Sequence, residues 1–344
     1  MGARGFSLVE IGLAESVFHI TSFLFEIPSG MISDVFGRRK SMILSEWMHL
    51  ISAVCMAFSQ SVIGFYISMI FLALGFNFSS GVREALAYDS LKTAGHEEKY
   101  VEFSSMDLIL YRVGYASAIL GAGLVLWIGY RKAYLIDVVI GLLGLASSYQ
   151  LKEVEMEELQ FDGEILSRIL NCFRESFYFL THNSRSIGLM LWNSLCGAVV
   201  ILTVYFLQAR LPEVGIEGVL LGPVLFVISL GGTVRAKLVL YVQKWKYWKV
   251  SVVCVTGIII GFVCRISSLP VLMCLGGFIL NVWDDLLQVH TDVILNERFP
   301  SPQRATLVSV ESLCFSIVMI VLSPIMGWMF SLSYFYMNFT KNQQ

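Results

Sequence analysis

Gly30-Met-Ile-Ser-Asp34-Val-Phe-Gly37-Arg38-Arg39-Lys40 separates two long apolar segments near the beginning of the chain. On a helix that ends near Asp34, Gly30 and Asp34 share one face, so the glycine predicts a close approach by a neighbouring helix. A carboxylate at the membrane edge needs a partner or water to stay charged. Gly37 permits a sharp turn, and the three cations that follow are typical of a cytoplasmic loop.

This spacing resembles the major facilitator superfamily, whose loop between its second and third helices reads Gly-x-x-x-Asp-x-x-Gly-Arg-Arg/Lys. The match is complete over those positions, and Glu26-Ile-Pro-Ser29 ahead of them is also similar to the family. The resemblance implies an all-α, polytopic bundle of two helical halves. It also implies an inner gate, and the residues that match its motif here are Gly30, Asp34, Gly37, Arg38 and Arg39. A basic cytoplasmic loop in any other polytopic protein is the alternative.

The composition indicates a polytopic membrane protein. Of 344 residues, 56% are hydrophobic and only 15% are charged, against about 25% charged in soluble domains. The net charge of −2 gives no indication of nucleic acid binding. The seven cysteines contain no Cys-x-x-Cys pair, so packing thiols are expected rather than a metal site or disulfides.

Ten apolar runs are long enough to approach the roughly 20 residues that cross a bilayer. The predicted spans are 9–33, 42–60, 63–90, 106–129, 133–150, 186–208, 217–238, 249–268, 271–295 and 305–327. With the 30–40 turn inside, sixteen Lys and Arg fall in inner loops and six in outer segments. This bias predicts a multi-pass protein of the plasma membrane in which the loop 34–41 and the linker 151–185 are cytoplasmic.

The domain prediction follows from the long polar stretch at 151–185. We expect an N-terminal transmembrane half at 1–150 with five spans, a cytoplasmic linker, and a C-terminal half at 186–344 with five spans and a short tail. Family members have twelve helices, so these ten would correspond to helices two to eleven, without the first and the last. Either the chain is a truncated member or it works with ten helices.

Polar residues inside the spans are the candidates for a solute or proton path. In the first span, Glu15, His19, Ser22 and Glu26 form one stripe, which faces a polar cavity or simply packs against another helix. In the third, Ser80, Glu84 and Tyr88 share roughly one face, and the resemblance implies that Asp89 is a partner for the gate. Arg112 in the fourth span is either a counter-charge or a snorkelling residue.

The ninth predicted span carries the longest polar stripe: Asn281, Asp285, Gln288, Asp292 and Asn296. Four turns of polar side chains cannot face lipid, so we expect Asn281, Asp285 and Gln288 to line a path near the midplane. Trp192 and Asn193 in the sixth span are weaker candidates.

Two hypotheses follow. The first is a secondary transporter that moves a small organic solute by alternating access, and the resemblance favours proton-coupled efflux, in a monomer, over uptake. The second is a truncated, transport-inactive membrane protein or interaction partner. No cofactor is expected, because the sequence lacks a phosphate-binding Gly-x-x-x-x-Gly-Lys-Ser/Thr loop and any metal-ligand spacing. An enzyme is not expected either.

Overall fold

The computed structural model describes residues 5–153, 174, 178, 184–216, 218–242, 244–267, 269–298 and 304–341. Within these ranges the chain is almost entirely helical and contains no strand. The helices are α1 (Leu8–Phe36), α2 (Arg38–Phe58), α3 (Val62–Ser79), α4 (Val82–Thr93), α5 (Tyr100–Leu120), α6 (Ala122–Ile128), α7 (Tyr130–Ser148), α8 (Ser184–Arg210), α9 (Leu221–Ser229), α10 (Gly231–Val242), α11 (Tyr247–Ile266), α12 (Pro270–Arg298) and α13 (Arg304–Lys341). The predicted linker 151–185, with its amphipathic run, lies mostly outside the described residues.

Seven helical segments of the described chain are long and apolar enough to cross a membrane: Leu8–Ser33, Arg38–Phe58, Val62–Thr93, Ser184–Val214, Tyr247–Arg265, Pro270–Leu295 and Val310–Leu332. These seven correspond to seven of the ten predicted spans. The all-α polytopic fold is therefore confirmed. The aromatic tail after Pro324 continues α13 rather than leaving it.

The other three predicted spans are helical but do not meet that length and polarity. The span at 106–129 is divided at Gly121 into α5 and α6, and that at 217–238 is divided at Leu230 into α9 and α10. The span at 133–150 corresponds to α7, which carries Arg131, Lys132 and Asp137. The third span is also divided, because Gly81 adopts a φ of 70° between α3 and α4.

The chain forms two compact units. The N-terminal unit comprises Val17–Tyr115 and Ile128–Thr181, and the C-terminal unit comprises Met1–Ser16, Ala116–Trp127 and His182–Gln344. Glycines allow the segments Met1–Ser16 and Ala116–Trp127 to pack closely on later parts of the chain. A Cβ at Gly12 would lie 2.9 Å from the carbonyl carbon of Ser323, and one at Gly123 would lie 3.0 Å from that of Gly218. The predicted division at 150 and 186 stays a prediction.

In the N-terminal unit, α2 packs against both α3 and α7. Small residues and hydroxyls bring the backbones together, as expected where lipid supplies no hydrophobic driving force between helices. Ser45 Oγ donates to the carbonyl oxygen of Gly75 at 2.7 Å, and Ser52 Oγ donates to that of Ser68 at 2.8 Å.

In the C-terminal unit, α11 and α12 form a helical hairpin whose backbones meet at two glycines. A Cβ at Gly276 would lie 2.6 Å from the carbonyl oxygen of Gly261, and one at Gly261 would lie 2.9 Å from that of Gly276. Apolar side chains of α8 pack on α13, with Leu202, Phe206 and Phe330 all buried. The six described cysteines are free.

Candidate functional site

The stretch 30–40 contains a tight turn between α1 and α2. Gly37 has a φ of 98°, a conformation that L side chains rarely adopt, and it separates Phe36 from Arg38. The backbone N–H of Gly37 donates to the carbonyl oxygen of Ser33 at 3.0 Å, which closes the last turn of α1. The sequence therefore predicts this turn correctly, and Gly37 is its pivot.

Glu153 caps the beginning of α2 from a distant part of the chain. Its Oε1 accepts the backbone N–H of Arg39 at 3.1 Å, although Gly37 itself offers no side-chain cap. A carboxylate at a helix N-terminus satisfies free N–H groups and complements the helix dipole. Arg39 Nη2 also donates to the carbonyl oxygen of Tyr149 at 3.0 Å, and Trp47 Nε1 to its hydroxyl at 3.3 Å. The turn is thereby fixed to the end of α7.

Arg38 forms an ion pair and hydrogen bond with Asp89 of α4. Arg38 is the first residue of α2, where the helix dipole disfavours a cation, so the aspartate offsets an unfavourable placement. The two side chains are 20% and 25% exposed, which leaves the pair partly desolvated and stronger than a surface ion pair. We call the set Gly37, Arg38, Arg39, Asp89 and Glu153 the turn cluster.

Gly30 and Asp34 give a different result. Gly30 is exposed, and among the described residues no atom lies within 4 Å of a Cβ built on it, so the predicted close helix approach at this position is wrong. Asp34 lies in the last turn of α1, but its side chain lies outside the described part. Among the described residues, Gly30 therefore marks no helix contact.

Alanine substitutions at Gly37 and Gly30 test whether the turn, rather than a helix contact, requires a glycine. Gly37→Ala is expected to destabilise the protein by about 1–3 kcal/mol, because it forces an L residue into an extended conformation at positive φ that is essentially restricted to glycine. Its Cβ would also lie 2.7 Å from Glu153 Oε2. The matched control, Gly30→Ala, lies in open space within a helix and is expected to be neutral or to stabilise by up to about 1 kcal/mol. Thermal unfolding in detergent measures both, and equal shifts would contradict the assignment.

The polar stripe of α1 divides between the two units. Glu15 belongs to the C-terminal unit, whereas His19, Ser22 and Glu26 belong to the N-terminal unit. Ser22 and Asn77 of α3 exchange two hydrogen bonds: the hydroxyl donates to Oδ1 at 3.0 Å, and Nδ2 donates to the Ser22 carbonyl oxygen at 2.9 Å. His19 is buried. Part of the stripe thus joins two helices.

The candidates of α4 and α5 lie in less enclosed surroundings. Arg83 Nη2 lies 3.1 Å from Glu84 Oε1 and 3.2 Å from Asp107 Oδ2, and both Arg83 and Glu84 are 49% exposed. Arg112 is exposed. The break at Gly81 turns α4 away from the continuous face on which Ser80, Glu84 and Tyr88 were predicted to align.

Two polar side chains of α2 were missed. A Cβ at Gly144 of α7 would lie 2.6 Å from Glu46 Oε2, and one at Gly75 of α3 would lie 2.7 Å from His49 Nε2. Each glycine makes room for a membrane-embedded ionisable group. The signal was available in the sequence, because Glu46 and His49 are three residues apart and share one face of an apolar helix.

The stripe of α12 packs on α9 and α10. Asn281 Nδ2 donates to the carbonyl oxygens of Ile228 at 3.3 Å and Gly277 at 2.9 Å. Asp285 lies against Gly232, where a Cβ would be 3.2 Å from the carboxylate carbon. Gln288 is exposed, and the side chain of Asn296 lies outside the described part. Asn281 of this stripe is therefore already hydrogen-bonded to backbone carbonyl oxygens, and Asp285 packs against Gly232.

A second polar network crosses the C-terminal unit. Asn193 of α8 is hydrogen-bonded to Glu311 of α13, and its Oδ1 accepts the hydroxyl of Thr291 of α12 at 3.4 Å. The Thr291 hydroxyl also lies 3.4 Å from that of Tyr247 on α11. Trp192 instead donates to Ser251 Oγ at 2.8 Å. Sequence reasoning missed Glu311, an ionisable residue in an otherwise apolar helix.

Comparison with known proteins bears on this architecture. The sequence profile of the Major Facilitator Superfamily matches residues 1–264. A search of curated protein sequences finds no match. Among solved structures, the nucleoside transporter NupG matches with a TM-score of 0.72 and 13% identity, over 94% of this chain and 82% of that one.

Two further structures show the same likeness. A D-xylose-proton symporter matches with a TM-score of 0.66 and 18% identity, over 92% of this chain and 79% of that one. The inward-open xylose transporter XylE from E. coli matches with a TM-score of 0.57 and 18% identity, over 95% and 81%. At these identities the likeness concerns the fold.

Proposed function

Because the chain belongs to the major facilitator superfamily, we propose that it is a secondary transporter that moves a small organic solute by alternating access. The family and the fold are those of a transporter rather than an enzyme. The protein is a multi-span membrane protein, because seven apolar helical segments of the described chain are long enough to span a membrane. The proposed site is the plasma membrane, with the turn cluster on the cytoplasmic side.

The observation that carries the proposal is the Arg38–Asp89 pair within the turn cluster. A gate must hold closed and still open within each cycle, so its bonds have to be worth a few kcal/mol. A partly exposed, charge-assisted hydrogen bond contributes about 1.5–3 kcal/mol, which fits that requirement. We assign gate roles to Gly37, Arg38, Arg39 and Asp89, and keep Gly30 and Asp34 as motif positions.

The candidate path consists of polar residues within the predicted spans: Glu15, His19, Glu26, Glu84, Arg112, Asn281, Asp285 and Gln288. Carboxylates and imidazoles inside a membrane are costly and commonly carry protons or bind substrate. Coupling to protons is therefore part of the proposal, as in the D-xylose-proton symporter that shares the fold. Efflux of the solute is our proposal for the direction, and monomers are the proposed working state.

Transport in proteoliposomes tests the proposal. The full chain is reconstituted with a pH-sensitive dye inside, and nucleosides, xylose and cationic drugs are offered under imposed pH gradients of either sign. We expect a solute-dependent proton flux, whose sign reports exchange or co-transport. An inserted chain that binds a solute of this panel but moves neither solute nor protons would favour the transport-inactive alternative.

Glu15→Gln probes the proton step. We expect the variant to lose proton flux by about tenfold or more, because the amide cannot release a proton, while solute exchange without a gradient persists. Glu98→Gln is the control, since Glu98 is an exposed carboxylate in the short segment before α5. Dye response and solute counterflow are measured in parallel. Equal loss of both by Glu15→Gln would indicate a structural role instead.

A further inference from the structure

Arg265 is the largest fully buried side chain in the described part of the chain. It lies in the last turn of α11, one residue before Ile266, and only 1% of it is exposed. Its guanidinium carbon lies 3.8 Å from the ring centroid of Phe330 on α13. An arginine at a helix end can ordinarily extend to water, so its burial calls for a physical reason.

One N–H group of the guanidinium is left without an acceptor. The Nε of Arg265 is buried and has no hydrogen-bond partner. Within the described ranges no carboxylate forms an ion pair with Arg265. Arginine stays charged in proteins and presents five N–H donors. The face of Phe330 attracts the cation but accepts none of these hydrogen bonds in normal geometry. A charge taken out of water without a partner is strongly unfavourable.

The surrounding backbone holds Arg265 in this position. A Cβ at Gly276 would lie 2.7 Å from the backbone nitrogen of Arg265, so α12 contacts α11 directly there. Phe206 and Phe262 flank Phe330, with ring centroids 4.9 Å and 6.3 Å from it. The guanidinium is thus fixed against an aromatic wall that supplies no counter-charge.

The electrostatics nearby add positive rather than negative charge. Arg210, at the end of α8, is close enough to repel Arg265 electrostatically. Glu213, which follows α8 along the chain, interacts with Arg210. Among the described residues, Arg265 thus faces a second guanidinium group, and the carboxylate of Glu213 acts on Arg210. A cation beside another cation, with a buried N–H that lacks an acceptor, favours an anion.

We propose that Arg265 is the anchor of an anion-binding site, and that its occupant is a carboxylate or phosphoryl group of the transported solute. The planar guanidinium fork binds both groups with two parallel hydrogen bonds. This inference rests on the proposed transport function, because it assigns a chemical class to the solute. An anionic lipid headgroup carries the same chemistry, and the lipid composition of the discs distinguishes the two sources.

Anion titration of the full chain tests the site. The protein is placed in nanodiscs of phosphatidylcholine, and inorganic phosphate or acetate is added at constant ionic strength while the thermal midpoint is measured. A ligand that binds the folded state raises this midpoint in a saturable way. We expect Arg265→Gln to weaken the apparent affinity by about tenfold or more, the effect of losing a charged hydrogen-bond donor. Arg131→Gln, which removes an exposed cation, is expected to match the unchanged protein.

A second variant covers the case in which Arg265→Gln does not fold. Arg265→Lys keeps the charge but loses the fork, and we expect it to weaken anion binding by about threefold or more. The proposal is overturned if Arg265→Gln folds and binds the anion as tightly as the unchanged protein. It is also overturned if Arg265→Gln does not fold and Arg265→Lys keeps the unchanged affinity. The absence of a saturable response to either anion would overturn it as well.

Discs rich in phosphatidylglycerol distinguish the source of the anion. If this lipid raises the midpoint through Arg265 and blocks the phosphate response, the occupant is a lipid headgroup and the solute assignment fails. The titration is an equilibrium measurement and does not need transport. Binding without transport would therefore count against the proposed function alone, and transport of neutral solutes without anion binding would count against this site alone.

Discussion

Arg38→Gln and Asp89→Asn are each expected to lower the rate of solute transport by about tenfold, since 1.4 kcal/mol corresponds to tenfold in rate and the pair contributes about that much or more. Each variant leaves one charge of a partly buried pair without its partner. The conformation in which the gate is closed then loses population, and the cycle is limited by how rarely it is reached.

The reciprocal exchange sharpens this test. In Arg38→Asp with Asp89→Arg, the aspartate occupies the first position of α2, where the helix dipole favours an anion, so we expect transport to recover to within about threefold. The transport losses of Arg38→Gln and Asp89→Asn should also be strongly non-additive when both changes are combined, because each removes the same interaction. Initial transport rates in proteoliposomes, measured for the unchanged protein, both single variants and the double variant, give this double-mutant cycle.

Lys40→Gln is the matched control for the charge itself. Lys40 is exposed, two residues from Arg38, and forms no ion pair among the described residues. Its loss is expected to change transport by less than about twofold, the usual size for an exposed charge. Equal losses in Lys40→Gln and Arg38→Gln, or additive effects in the cycle, would contradict a specific gate pair.

Gly12→Ala and Gly327→Ala are expected to produce large losses of stability. These glycines form the crossing of α1 with α13. A Cβ at Gly12 would lie 2.9 Å from the carbonyl carbon of Ser323, and one at Gly327 would lie 3.0 Å from that of Leu8. One turn further along α1, Ser16 Oγ donates to the carbonyl oxygen of Ile320 at 2.8 Å.

The expected cost is about 3 kcal/mol for either glycine variant, at the upper end for overpacking, because the atoms met are backbone and cannot move like a side chain. In a chain of this size that corresponds to a thermal midpoint lower by roughly 6 °C or more. The double variant should cost less than the sum, since one separation of the helices relieves both contacts.

Gly188→Ala provides the control. Gly188 lies in α8, and no atom of the described residues comes within 4 Å of a Cβ built there. In a helix interior the change is expected to be neutral or to stabilise by up to about 1 kcal/mol. A midpoint that falls equally in Gly12→Ala and Gly188→Ala would show that general helix effects, not the crossing, dominate.

Several features of the fold follow from sequence alone, because they depend on local chemistry. Long apolar runs predict membrane helices, and the solved structures confirm the all-α polytopic fold. The family match confirms the family that the 30–40 stretch indicates. Gly37 predicts the turn that its positive φ produces. The polar stripes of α1 and α12 are also readable from their helical spacing.

Sequence spacing fails where a residue's partner lies far away along the chain. The sequence predicts that Glu153 belongs to a linker, yet Glu153 caps α2. It also predicts a helix contact at Gly30, which the described residues do not show. The spacing of Glu46 and His49 places both on one face of α2, but it does not show that a glycine on another helix makes room for each.

Arg265 illustrates the general reason. Its position at a helix end predicts a side chain extended to water, but the glycine contact between α11 and α12 and the aromatic wall around Phe330 bury it instead. The sequence determined which segments are helices, since periodicity and turn chemistry act within a few residues. Only the tertiary structure decided which charges meet and which are buried, because those outcomes depend on how closely two backbones pack.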